Sequence, residues 1–173
     1  DVSPSEPVSD KLLEANIVKS LGSEYTYEAA KIAQKLLGAK GFESGHPMSN
    51  IAIDIRPFTI FEGNNEMLYA DIFDIFSKAN DKEKENGVRI DKTQTLYERL
   101  LSDSRYIAIN EKFSNISSNI TDFLKSHAIT DITQIQKVFI GKIISKFFII
   151  TQATDDSLIS FLNREMQKDI LDF

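Results

Sequence analysis

The chain has no cysteine at all. That excludes a disulfide scaffold, thiol catalysis, Cys-ligated zinc and iron–sulfur clusters. Its two histidines, His46 and His127, lie far apart, so no His-rich metal site is expected, and no metal ligand is assigned. Basic residues are in the minority, 20 Lys and Arg against 26 Asp and Glu, for a formal net charge of -6. An acidic chain without a basic cluster argues against nucleic acid as a partner, because phosphate neutralisation needs grouped Lys and Arg. Long apolar runs are missing too. The longest, Val138 to Ile150, is interrupted by Lys142 and Lys146 and falls well short of the roughly 20 residues of a membrane-spanning helix. The opening Asp1-Val2-Ser3-Pro4 has no initiator Met and neither a basic nor an apolar leader pattern, so no signal peptide is expected, and the chain is expected to be an excised piece of a longer protein. A cytosolic (bacterial) or organelle-matrix setting, not secretion, is the expected localisation.

What is present is ordinary globular composition, 42% hydrophobic and 27% charged, enough for one domain or two small ones. After a Pro-containing tail, a helical period sets in near Ser9. Leu13, Ile17, Leu21, Tyr25, Ala29, Ile32 and Leu36 recur at the spacing of one helix face. Ser9 or Asp10 is the expected N-cap, and Gly38 to Gly41 the expected stop. Gly22 breaks the pattern at a cost of about 1 kcal/mol, which points to a neighbour too close for a Cβ. Phe42 to Phe58, with Gly45, Pro47 and Pro57, reads as an ordered loop. Asn64 or Asn65 then caps a second helix to about Ala79, with Leu68, Ile72, Ile75 and Phe76 inward. The polar run Asn80 to Gly87 is the expected domain boundary: 1–80, a linker 81–87, and 88–173.

Beyond it, helices are expected over Thr93 to Ser102, along the stripe Tyr106, Ile109, Phe113, Ile116, Ile120 and Phe123, and from Asp131 to Thr151. The helix over 131–151 is apolar nearly all round, as a central bundle helix is. A last helix follows Thr154, with Asp155 and Asp156 suited to its positive end and Leu158, Leu162, Met166 and Ile170 inward. No alternating strand pattern rises above noise. The fold class is all-α.

The segment Ile55-Arg56-Pro57-Phe58-Thr59-Ile60-Phe61-Glu62-Gly63-Asn64-Asn65-Glu66 sets a carboxylate on an apolar approach, just before a glycine and a helix start. Apolar neighbours that desolvate Glu62 would raise its pKa and suit it to general-base work. Backbone N–H groups of 63–65 are positioned for an anion at a helix N-terminus. On these residues alone, an exposed loop glutamate is the default reading. Likewise, Gly38 and Gly41 after a helix are more often a C-cap than a phosphate loop.

Taken together and in order, the two segments resemble a family. Gly38, Gly41 and Phe42, Pro47 five residues beyond, Asp54, and Phe61-Glu62-Gly63 with Glu62 eight after Asp54 are similar to the C-terminal helical domain of flavin-dependent acyl-CoA dehydrogenases. The likeness runs without gaps from Glu14 to Leu68. Ile17-Val18-Lys19-Ser20-Leu21-Gly22-Ser23-Glu24 most resembles the very-long-chain branch, which carries an extra helical domain as residues 93–173 would.

The resemblance implies a helical bundle of that dehydrogenase type plus a second, appended helical bundle, incomplete here. It implies oxidation of an acyl-CoA to the trans-2-enoyl-CoA, with Glu62 the base for the α-proton and FAD the hydride acceptor. It implies Phe61 and Gly63 beside the thioester. Asn64, Asn65 and Glu66 would lie at the subunit's own FAD, and Lys35, Gly38 and Ala39 at the FAD of a neighbouring subunit. A homodimer or higher homo-oligomer and an electron-transfer flavoprotein as electron acceptor follow. Lys35 stands where the family has Gln, with Gln34 adjacent; Ala39 replaces its second Gly, Ile53 its Arg, and Asn64 its Thr. The family's other domains supply most of the flavin and acyl-CoA pocket, so no turnover is expected from this chain alone. The alternative is a non-catalytic helical interaction or dimerisation module derived from a dehydrogenase.

Other residues have plainer readings. His46 is an exposed loop residue, and His127 caps a helix end. Lys137, Lys142 and Lys146 beside Phe139, Phe147 and Phe148 offer a membrane-facing strip, although rim lysines with snorkelling stems are the favoured reading.

Overall fold

The computed structural model describes residues 8–78, 86–87, 89–91, 93–106, 118–130 and 132–172. Among the described residues seven α-helices follow one another: α1 (Val8–Leu36), α2 (Ile51–Ile55), α3 (Asn65–Phe76), α4 (Leu96–Ser102), α5 (Ser118–Ser126), α6 (Gln134–Gln152) and α7 (Asp156–Asp172). Among the described residues the only extended pairing is an isolated bridge between Thr95 and Ala128. The all-α expectation holds.

Helix starts follow local chemistry. Asn64 caps α3, its side-chain oxygen accepting from the Glu66 N–H at 3.1 Å. Thr95 with Glu98, and Thr133 with Gln136, form reciprocal capping boxes at α4 and α6. Asp155 accepts from the Ser157 N–H ahead of α7. Ser9 and Asp10 lie inside α1, which already runs at Val8, so the expected cap there is displaced. The segment 42–58 is not all loop. It contains α2, then a 3-10 turn over Arg56–Thr59 with Pro57 in its first turn, where a missing N–H costs nothing. The stretch 107–117, which holds Ile109, Phe113 and Ile116 of the expected stripe, lies outside the described residues, while Tyr106, Ile120 and Phe123 are buried.

Helix α6 is the axis of the bundle. Ile140, Ile143, Ile144, Phe147 and Ile150 are buried on several of its sides. It crosses α3 so closely that a Cβ on Gly141 would lie 2.0 Å from the Tyr69 carbonyl oxygen. Residues on both sides of the expected 81–87 boundary share one core: Leu13 and Ile17 of α1, Ile72 and Phe76 of α3, Leu100 of α4, Phe147 of α6 and Leu162 of α7. Arg99, fully buried, ties α4 to the end of α3 by donating to the carbonyls of Phe76 (2.9 Å) and Lys78 (3.1 Å) and to Asp103 (2.9 Å). The linker itself lies mostly outside the described residues.

Two inward faces differ from expectation. Leu13, Ile17 and Leu21 are buried, but Ile32 and Leu36 are exposed, and in this part of α1 it is Gln34 that meets the following turn. On α7 it is Ile159, not Leu158, that is buried with Leu162 and Met166. The lysines of α6 form no strip. Lys137 pairs with Asp74 at 2.7 Å, Lys142 with Glu24 at 3.1 Å, and Lys146 with Asp169. Among the described residues, no helix is long and apolar enough to cross a membrane.

Candidate functional site

The N-terminus of α3 meets the middle of α1, and that junction carries Glu62. Here a short turn leaves the Arg56–Thr59 segment and enters α3. Glu62 is the one described non-glycine residue with a positive φ, +58°, and Gly63 follows at +107°. The Gly63 conformation is open only to glycine, and a side chain there would also press on Leu68 at 3.2 Å.

Asn65 fastens the junction. Its amide donates to the Ser20 carbonyl and the Ser23 hydroxyl, both at 3.0 Å, and its oxygen accepts from the Lys19 ammonium at 2.8 Å. The same ammonium donates to the Gly63 carbonyl at 2.5 Å. Partial burial lowers the Lys19 pKa, and the charge of Glu62 opposes that shift. Deeper in, the Tyr69 hydroxyl donates to Glu24 at 2.6 Å, and burial raises its pKa far above the usual range.

Beside this turn lies an open, mainly apolar groove of about 860 Å³. Val18 and Gly22 of α1, with Ile55, Phe58 and Phe61, give it apolar walls, and Lys19 and Glu62 add the charges. Gly22 is not crowded: no atom lies within 4 Å of where its Cβ would be. The expectation of a close neighbour is therefore wrong within this chain, and the glycine instead lowers the groove floor. Phe58 and Phe61 are 61% and 64% exposed, an uncommon state for side chains of that size. Glu62 is exposed as well, so the apolar approach does not by itself desolvate the carboxylate.

A second cluster of sequence-predicted residues lies elsewhere. Lys35, Gly38 and Ala39 are exposed at the far end of α1. Sixteen residues of helix separate Lys35 from Lys19, about 24 Å at 1.5 Å per residue. The two sets therefore cannot grip one small group together. Gln34, not Lys35, holds the following turn: its amide donates to the carbonyls of Gly41 and Ser49, both at 3.1 Å. His46 accepts from the Met48 N–H within that loop, and His127 sits 2.8 Å from the Phe123 carbonyl oxygen at the end of α5. Among the described residues no group of His, Cys, Asp and Glu is arranged for a metal.

Residues 6–75 match the family model for the acyl-CoA dehydrogenase C-terminal domain. No curated protein and no solved structure matches the chain. The matched segment ends within α3, so it takes in both the groove and the turn that carries Glu62.

Lys19, Gln34 and the latch role of Asn65 escaped the sequence reading. Lys19 stands in the Ile17–Glu24 segment that resembles the very-long-chain branch, and that was its one signal.

Proposed function

We propose that the chain contributes the base and one wall of the acyl pocket to an FAD-dependent acyl-CoA dehydrogenase, in a parent protein that also carries the family's other domains. The observation that carries this reading is the coincidence of three features within the family match: Glu62 on a left-handed turn, the apolar groove beside it, and the Phe61-Glu62-Gly63 order. An acyl chain suits such a groove, because its apolar walls reward burial at about 25 cal/mol per Å².

In the proposed reaction, the Glu62 carboxylate takes the α-proton of the thioester. Bound substrate and the parent's other domains displace water from the carboxylate, which raises its basicity to match the task. Phe61 and Gly63 flank the thioester. FAD, when bound, supplies the hydride acceptor. Of the residues assigned to it, Lys35 and the exposed backbone at Gly38 and Ala39 suit a pyrophosphate of a neighbouring subunit. The exposed Asn64 keeps its amide donors, since only its oxygen is used in capping α3, and Glu66 is exposed beside it. Asn65 does not fit a flavin contact, because both ends of its side chain are spent within the chain. A homodimer and an electron-transfer flavoprotein as acceptor belong to the same proposal.

A second reading, a non-catalytic interaction module, draws on the exposed Phe58, Phe61, Ile53 and Ile60 and on Lys35 in place of the family Gln. The test is the colour of the parent protein. A yellow protein whose flavin bleaches anaerobically with acyl-CoAs of some chain length supports the dehydrogenase. A colourless protein that takes up no added FAD supports the module.

A further inference from the structure

The turn that carries Glu62 is held from α1 by the Lys19 side chain. An L-residue at φ +58° is strained, and such residues persist only where their surroundings fix them. Before the turn, the Phe61 N–H is anchored to the Pro57 carbonyl at 2.8 Å. After it, Asn64 and Asn65 are fixed by the α3 cap and by the contacts of Asn65 with Ser20 and Ser23. Between these anchors, the Gly63 carbonyl is gripped by the Lys19 ammonium, which also bonds Asn65 and lines the groove together with Glu62.

We infer that Lys19 is a positioning residue for Glu62: its ammonium clamps the Gly63 carbonyl and thereby fixes the backbone that presents the Glu62 carboxylate to the groove. The positioning role rests on the reading of Glu62 as a base; the clamp does not. Lysine suits the task because its ammonium has three donors and can serve two acceptors on different sides of a turn. Methionine keeps most of the stem's packing and helix propensity without a donor, whereas arginine restores donors and charge.

The clamp is read on the chain itself by Glu-specific proteolysis, with cleavage sites mapped by mass spectrometry. Lys19→Met should speed cleavage after Glu62 roughly tenfold, the scale of a lost charge-assisted hydrogen bond, and Lys19→Arg should stay near the parent rate. Cleavage after Glu43, exposed in a different loop, should not change. No change after Glu62, or equal acceleration at both sites, overturns the clamp. Should Lys19→Met fail to fold, Lys19→Leu, which likewise carries no donor, serves in its place. In the flavin-loaded parent, Lys19→Met should lower kcat for bleaching by acyl-CoA about tenfold and change KM less than about twofold, with recovery in Lys19→Arg. A loosened turn with unchanged kcat overturns the positioning role. A parent that never bleaches with Lys19 intact overturns the dehydrogenase reading and the positioning role with it, while the proteolysis result still decides the clamp.

Discussion

Gly141→Ala should destabilise the chain, and Gly22→Ala should stabilise it, although both add one methyl group to a helix. At Gly141, on α6, the new Cβ would sit 2.0 Å from the Tyr69 carbonyl oxygen and 2.7 Å from its carbon. The obstacle is the backbone of α3, which has no rotamer to turn away. The two helices would have to separate, loosening contacts among Ile72, Phe73, Ile140 and Ile144 at the centre of the core. Overpacking of this kind costs about 1–3 kcal/mol, and a rigid neighbour places it in the upper part of that range. Alanine returns about 1 kcal/mol of helix propensity, leaving a net loss of about 1–2 kcal/mol. At about 2–4 °C per kcal/mol for a chain of this size, Tm should fall by about 2–8 °C. At Gly22 nothing lies within 4 Å, so the propensity gain stands alone and Tm should rise by about 2–4 °C. Thermal and urea unfolding followed by far-UV circular dichroism would measure both. A neutral or stabilising Gly141→Ala would refute the close crossing of α3 and α6, and with it the arrangement that seats the start of α3 on α1.

Two further predictions concern buried charge and buried phenols. Lys146 is 4% exposed and pairs with Asp169, whose carboxyl burial shifts upward against the pull of Lys146. Asp169→Ala strands the ammonium and should cost about 3–5 kcal/mol, whereas Lys146→Met with Asp169→Leu should come within about 1–2 kcal/mol of the parent chain; urea unfolding of the full mutant cycle checks this. Tyr25, Tyr69 and Tyr106 all have phenol pKa values raised, first of all by burial. They stay protonated in the folded chain while unfolded tyrosine ionises near 10, so stability is full below about pH 10 and falls as pH rises, by up to about 1.4 kcal/mol per pH unit for each tyrosine. Their phenolate absorbance should therefore appear together with the loss of helical ellipticity; phenolates that form first would refute the burial argument.

Much of the fold was legible because its signals are local. Asn64 announces the start of α3 through a side-chain oxygen placed two residues before a waiting N–H group, whereas the capping boxes at Thr95 and Thr133 lie two residues inside the starts expected at Thr93 and Asp131. The nearly all-round apolar 131–151 pattern identified a central helix because few polar positions remain to face water. What failed depended on distant partners. Periodicity marked Ile32 and Leu36 as inward, but it cannot say whether a covering element lies within the chain. Gly22 and Gly141 are alike in sequence, and only the crossing with Tyr69 shows which of them is packed against.

At the candidate site, the order Phe61-Glu62-Gly63 pointed to the turn, and the cap at Asn64 pointed to the start of α3. The contribution of Lys19, more than forty residues earlier, was not readable, because a lysine on a helix face usually means a solvated rim. The apolar approach suggested a desolvated Glu62. The chain instead leaves that carboxylate in water, since the walls formed by Phe58 and Phe61 stand open.

The central claim is that the Glu62 carboxylate removes the α-proton, and Glu62→Gln in the flavin-containing parent protein tests it most directly. Glutamine keeps the size and the hydrogen-bonding reach but cannot accept the proton. Anaerobic mixing with a saturating acyl-CoA should bleach the flavin of the parent, while Glu62→Gln retains its yellow colour and its substrate affinity and bleaches more slowly by at least the roughly 10²–10⁴-fold that a general base contributes. Bleaching at the parent rate by Glu62→Gln would contradict the assignment and return Glu62 to the status of an exposed turn residue.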